Sequence, residues 1–223
     1  MIKKNISDLP VRLSFLIAFS LFTLCVYAQK KIRTPIKVIP ALSVYTINGD
    51  TTNLKTISKG KVTFIDFWFI PCGPCFVEMN MLHKLYAKYK DDPNVCFLTI
   101  TMTDSAFVRP LAENRNTGDN ETYTYFKNLA RLDTFKLPVY FIRDLAWIQK
   151  SFKKQKDGSF VGSGENLLKK NDDSPDNLFG FSGYPTIFIF DKKGKLIYNV
   201  TGFRQNGETQ QEKKIESIIS SAF

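Results

Sequence analysis

The feature that most limits how this 223-residue chain can fold is an apolar run that ends in a cysteine pair. Val62-Thr63-Phe64-Ile65-Asp66-Phe67-Trp68-Phe69 is almost continuously apolar or β-branched, as expected of a strand buried on both faces, and Asp66 alone interrupts it. Ile70-Pro71-Cys72-Gly73-Pro74-Cys75 comes next. Then Phe76, Met79, Leu82, Tyr86 and Tyr89 recur at steps of three or four, the single apolar stripe of a helix, until Asp91-Asp92-Pro93-Asn94 stops it. The cysteine pair is therefore placed where a buried strand hands over to a helix.

That position suits chemistry better than stapling. A disulfide across two intervening residues restrains little unfolded-state entropy. Disulfide exchange needs an attacking thiolate and a second thiol within reach to resolve the mixed disulfide. Ahead of a helix, Cys72 would be exposed, with unpaired N–H groups and the positive dipole end lowering its pKa. Cys75, three residues on, would be more buried, and Pro74 fits the first turn because its missing N–H costs nothing there. Cys72 is thus the expected nucleophile and Cys75 the resolving thiol. A zinc site would need more ligands than Cys96 and the single His83 supply. Cys96, mid-strand, reads as a buried apolar filler, and His83 as a surface or boundary residue. Neither a metal nor another cofactor is expected.

The remaining elements alternate. Ser43 to Ile47, the turn Asn48-Gly49-Asp50 and Thr51 to Ile57 predict a hairpin. Strands are expected at Val95 to Thr101, Leu137 to Ile142, Thr186 to Phe190 and Lys195 to Thr201. Helices are expected at Thr122 to Leu132, Leu145 to Phe152 and Glu208 to Ala222. Two polar stretches, 113–121 and 153–182, are long for plain loops and read as insertions. The pattern implies an α/β protein with a mixed central sheet flanked by helices.

Residues 1–28 have the layout of a secretory signal: Lys3, Lys4 and Arg12, an apolar run over 13–27, and small residues around Val26-Tyr27-Ala28. An uncleaved anchor formed by 13–27 is the rival reading. Leu24 stands where a lipoprotein signal wants a small residue before Cys25. Residues 29–38 read as an extended leader, since Pro35 and Pro40 oppose helix, and 39–223 as the folded domain. The net charge of +10 is scattered in short lysine pairs. That argues against a nucleic-acid arm and for solvated surface, with weak attraction to anionic lipid or acidic partners as the other reading.

The segment Asp66-Phe67-Trp68-Phe69-Ile70-Pro71-Cys72-Gly73-Pro74-Cys75 resembles the active-site segment of thioredoxins. Gly183-Tyr184-Pro185-Thr186-Ile187-Phe188-Ile189-Phe190-Asp191-Lys192-Lys193-Gly194-Lys195 resembles their second signature. With the leading hairpin, the chain is similar to the extracytoplasmic TlpA/ResA-like branch over roughly 39–219. The resemblance implies a thioredoxin-like fold, with the polar insertions ahead of a cis-proline strand, and thiol–disulfide oxidoreductase activity. It implies that Pro185 is cis and lies beside the dithiol, leaving the Tyr184 carbonyl and neighbouring backbone to pair with a substrate strand. Asp66 matches the buried acid that relays a proton to the resolving thiol, and Glu78 the acid that this branch places on the dithiol helix. Trp68, Pro71, Gly73, Pro74, Tyr184 and Pro185 are the expected substrate-binding positions, with Trp68 beside the dithiol or in the core. Pro71 stands where the family usually has Trp, and Tyr184 is bulkier than the usual residue.

The resemblance further implies an exported, monomeric reductant of the periplasm or cell envelope. It would act on exported protein disulfides, apocytochrome c among them, and be recharged by a membrane thiol donor. Two other classes stay open at this point. One is a peptide-binding module with little redox turnover, which the dithiol argues against. The other is a redoxin-type peroxidase, which would want Thr or Ser where Phe69 stands.

Overall fold

The structure is a computed structural model that describes residues 34–103, 105–115, 121–142, 152–154, 160–162, 175–203 and 205–223. Seven strands form one sheet in the order β2-β1-β5-β4-β3-β8-β9. These are β1 (Ser43–Thr46), β2 (Thr51–Asn53), β3 (Val62–Trp68), β4 (Val95–Thr101), β5 (Val139–Ile142), β8 (Thr186–Phe190) and β9 (Leu196–Thr201). β6 (Phe152–Lys154) and β7 (Phe160–Gly162) pair separately as an antiparallel ribbon. The helices are α1 (Leu54–Ile57), α2 (Gly73–Tyr89), α3 (Ser105–Ala112), α4 (Glu121–Ala130), α5 (Pro175–Phe179) and α6 (Glu208–Ser221).

β3 sits at the centre, parallel to β4 and antiparallel to β8. Strand alternation sends Val62, Phe64, Asp66 and Trp68 to one face and Ile65 and Phe67 to the other. The first face packs under α2, α4 and α6 and carries the larger apolar cluster. The second is closed by a smaller cluster built from Phe67, Phe188, Phe179, Phe181, Leu54 and Ile39. Cys96 lies in this cluster as a free, buried thiol, and burial pushes its pKa up to about 11.

Several expectations shift at the edges. The hairpin closes through Gly49 at φ 92°, but its second strand ends at Asn53. There the Asn53 side chain accepts from the N–H of Lys55 at 3.0 Å and caps α1, so 54–57 is helical where a strand is expected from the sequence. The sequence pattern assigns no element to the stretch that forms α3, a helix that holds Pro110 within it. Asn114 comes next at φ 53° and clasps Phe135 through both backbone groups: its Nδ2 donates to the carbonyl at 3.0 Å and its Oδ1 accepts from the N–H at 2.6 Å. His83 is half-buried, and both ring nitrogens are engaged. Nε2 accepts from the Lys136 N–H at 3.0 Å, so Nδ1 carries the hydrogen that bonds the Met79 carbonyl at 2.7 Å. Burial lowers its pKa. The expected helix at 145–152 lies outside the described residues except for Phe152, which is in β6. The expected signal or anchor and residues 29–33 of the leader also lie outside.

The end of the stretch that reads as a polar insertion is a core element. Phe179 is fully buried, its ring 4.7 Å from Phe67 and 5.5 Å from Phe188. Burying one such ring contributes about 1.5–3 kcal/mol. The extended segment from Thr34 seals it: the Ile36 N–H donates to the Phe179 carbonyl at 3.1 Å, and the Leu196 N–H to the Lys37 carbonyl at 2.8 Å. Gly180 makes this closure possible, at φ 69° and with the Thr34 carbonyl oxygen occupying the space a Cβ would need. Gly180→Ala should therefore cost more than about 2 kcal/mol in urea unfolding. Gly207→Ala, at negative φ with open space around it, should stay within about 0.5 kcal/mol of wild type. Equal stabilities for the two variants would contradict this account of the closure.

Candidate active site

Helix α2 starts where Pro74 permits and where Cys72 can cap it. Cys72 is the N-cap residue, in extended backbone, and its Sγ accepts from the N–H of Cys75 at 3.3 Å. The two cysteines are disulfide-bonded with Cα atoms 5.3 Å apart. Their order of burial agrees with the helix geometry, with Cys72 6% exposed and Cys75 1%. Cys72 is thus less open than expected. In the disulfide its sulfur turns toward Cys75 and joins the apolar cluster that holds Ile70 and Phe76. Pro71 and Pro74 are the exposed residues of the loop, and Gly73 is half-buried between them.

The loop is held from two sides. The Ile70 N–H donates to Thr103 Oγ1 at 2.7 Å, and Phe69 meets Tyr184 edge-on with ring centroids 5.0 Å apart. Both Ile70–Pro71 and Tyr184–Pro185 are cis. β8 runs antiparallel to β3 with Thr186 opposite Phe67, which brings the Tyr184-Pro185 turn to the end of β3 where the dithiol begins. Pro185 is buried, and its carbonyl accepts from the Gly202 N–H at 2.8 Å. Tyr184 is also packed against Phe181, ring to ring at 5.2 Å.

Trp68 needs correction as a substrate-binding position. It is fully buried, with Phe76 and Phe135 each 6.2 Å away, because its place in β3 turns it to the helix-covered face. It lines the core beneath the loop, the second of the two places expected for it, with no surface open to a substrate in the disulfide form.

Two carboxyls share that face. Asp66 and Glu78 are each 1% exposed. Asp66 Oδ1 and Glu78 Oε2 have no hydrogen-bond partner among the described residues. Loss of hydration disfavours a buried charge. Burial raises Asp66 to about 8, against the lowering effect of the Phe67 N–H. Burial first, and then the charge of Asp66, hold Glu78 well above the usual carboxylate range. One group opposes this. Gln211 Nε2, from α6, donates to Glu78 Oε1 at 3.3 Å. Sequence reasoning missed Gln211, Thr103 and the Phe69–Tyr184 contact. Nothing local marks them, since each partner lies on a distant element.

A disulfide-linked Cys-x-x-Cys at a helix N-terminus, beside a cis-proline turn and on a mixed sheet, defines a thioredoxin-fold thiol–disulfide oxidoreductase. The chain belongs to the Redoxin family, whose pattern matches residues 36–219. It is 25% identical over 182 residues to the thiol-disulfide oxidoreductase ResA of Bacillus thuringiensis subsp. konkukian, covering 82% of this chain and 77% of that one. It is likewise 25% identical over 166 residues to ResA of Bacillus anthracis, covering 74% and 69%. Among solved structures it is similar to a putative thiol:disulfide interchange protein DsbE from Chlorobium tepidum, with 20% identity, a TM-score of 0.49, and coverage of 84% and 99%.

The raised carboxyls link stability to pH. Asp66 takes up its proton more readily folded, near 8, than unfolded, near 3.8. The native state then holds more protons than the unfolded state across that window. The stability this supplies is complete below about 4 and is lost as pH rises through about 8. Asp66→Asn removes the slope. Urea unfolding of the oxidised protein should show the variant gaining on wild type from pH 5 to about pH 8 and levelling off above it. A stability difference that is flat with pH would contradict a proton held on Asp66.

Proposed function

We propose that the chain is an exported protein-disulfide reductase, active as a monomer in the periplasm or cell envelope, with Cys72 as nucleophile and Cys75 as resolving thiol. The observation that carries the reading is the placement of the two sulfurs: Cys72 caps α2 at the rim, between exposed Pro71 and Pro74, and Cys75 lies buried behind it.

The helix N-terminus favours the Cys72 thiolate in the reduced protein. That thiolate attacks a client disulfide, forming the Cys72–client bond and releasing one client thiolate. Cys75 then gives its proton to the Glu78 carboxylate and attacks Cys72 Sγ. The second client thiolate leaves, and Cys72–Cys75 closes. Two electrons pass from the dithiol to the client, which takes up two protons. Asp66, the other buried acid of the pocket, tunes and shares this proton traffic. Pro71, Gly73, Pro74 and the Tyr184-Pro185 turn form the docking surface. Clients are exported protein disulfides, apocytochrome c among them, and a membrane thiol donor recharges the pair.

The direction of electron flow rests on what surrounds the sulfurs. Gly73-Pro74 puts neither a charge nor a histidine between them, and the buried groups nearby are acids, which do not favour a thiolate. The disulfide is then not destabilised relative to the dithiol. Equilibration against glutathione and dithiothreitol buffers should give a midpoint below roughly −220 mV, and a value above about −170 mV would make the chain an oxidant. Cys72→Ser should abolish reduction of insulin disulfides, while Cys75→Ser should accumulate mixed disulfides visible on non-reducing gels. Selective alkylation of Cys75 in the native reduced protein would reverse the two roles.

A further inference from the structure

Glu78 is 1% exposed, and it is hydrogen-bonded to a residue that lines an open cleft. Gln211 donates through Nε2 to Glu78 Oε1, and the same side chain lines a cleft of about 570 Å³ between β9 and α6. Tyr198, Thr201, Phe203, Gln210 and Lys214 line the rest. The carboxyl is therefore fixed at one oxygen and left open at the other, since Oε2 has no partner among the described residues.

We propose that Gln211 is a positioning residue for Glu78: its amide pins Oε1, and its side chain walls the carboxyl off from the β9–α6 cleft, keeping Oε2 dry and available to the dithiol. The role arises from the chemistry of the amide. It donates a hydrogen bond but has no proton to give up, so it orients a carboxyl without competing for the proton being transferred. The helix that carries it is anchored to the dithiol helix at the surface, by Lys84 to Glu208 at 3.1 Å and Lys88 to Glu216 at 2.8 Å. Wall and carboxyl are thereby kept in register across two separate elements.

The other titratable groups that act on Glu78 are Asp66 on β3 and Tyr198 on β9, since Cys75, three residues before it on the same helix, is held in the disulfide. Both burial and the Glu78 charge raise the Tyr198 phenol. Lys214 is exposed and lies over the Tyr198 ring at 5.0 Å.

The inference takes the catalytic part of Glu78 from the mechanism proposed above, but its test does not depend on that part. The titration of Glu78 can be followed directly in the oxidised full chain by carbon-13 NMR of labelled glutamate carboxyls, assigned by loss of the signal in Glu78→Gln. Two substitutions should move it in opposite directions. Gln211→Leu removes the donor and keeps the wall, so the midpoint should rise by about one pH unit. Gln211→Ala opens the carboxyl to the cleft. Because burial is the largest cause of the raised value, solvation should outweigh the lost donor, and the midpoint should fall below wild type. Gln210→Leu, which lines the cleft without touching Glu78, should leave the titration in place. A midpoint that stays fixed in both Gln211 variants, or that rises in both, overturns the proposal. So does a shift in Gln210→Leu equal to that in Gln211→Leu. Exchange kinetics of Glu78→Gln report separately on the mechanism: an unaltered pH–rate profile would remove Glu78 from the reaction, and the titration would still decide the place of Gln211.

Discussion

β3 is hydrogen-bonded along both edges and buried on both faces, and the site inherits its geometry from that constraint. A strand in this position has no freedom of register, because a slip of one residue exchanges its two faces. Such a slip would press Asp66 into the layer of Phe179, Phe181 and Phe188, and turn Phe67 toward Glu78. The same register sets Thr186 opposite Phe67 and so brings Pro185 to the end of the strand from which Cys72 departs. Acid, dithiol and cis-proline turn are consequences of one pairing scheme. Trp68, the last residue of the strand, is held within the core by the same alternation.

The two faces of the sheet carry different loads. The face under α5 and the Thr34–Ile39 segment is a layer of aromatic rings, with Phe67 touching Phe179, Phe181 and Phe188 at 4.7, 5.0 and 6.0 Å. It holds apolar surface that stabilises the fold and lies across β3 from Asp66 and Glu78. The face under α2 and α6 contains Asp66, Glu78 and the indole nitrogen of Trp68, each with a buried polar atom that lacks a partner among the described residues. A buried polar group without a hydrogen bond costs of order 1–3 kcal/mol. Such groups are kept where chemistry uses them, as the proposed mechanism uses Asp66 and Glu78 beneath the dithiol.

How much of this is legible in the sequence depends on how local each feature is. The strand Val62 to Trp68 and the helix behind Cys75 announce themselves, because burial on both faces and a stripe at steps of three or four are patterns within one element. Asp66 stands out as the single charge in an apolar run. Gln211 does not, since what makes it matter is an oxygen 133 residues away on another helix. The aromatic residues of 175–181 read as part of a polar insertion because the Gly, Asp, Asn and Lys before them dominate its composition. Only the pairing of Ile36 with Phe179 turns that stretch into a lid on the core. The exposure expected of Cys72 fails for another reason. The position of a helix cap is set by local sequence, but in this redox state the direction of the Cys72 sulfur is set by its bond to Cys75.

That redox state also decides what the acid pair can do. In the disulfide form Glu78 holds a proton well into the pH range where an exposed carboxyl would have lost it. When the disulfide is reduced, Cys75 leaves as a thiolate in the same dry pocket. A bare thiolate is costly there because burial disfavours its charge, and in the proposed mechanism the proton on Glu78 passes to sulfur, leaving the single negative charge on the carboxylate. In the mechanism proposed above, the proton returns to the carboxylate when Cys75 later attacks a mixed disulfide. The pocket can thus run through a cycle while passing one proton back and forth between sulfur and oxygen. For such a shuttle, a carboxyl that water reached freely would be a poor partner, because its proton would be lost to bulk between the two halves of the cycle. On that proposal, burial of Glu78 serves the exchange through the same loss of hydration that destabilises its charge.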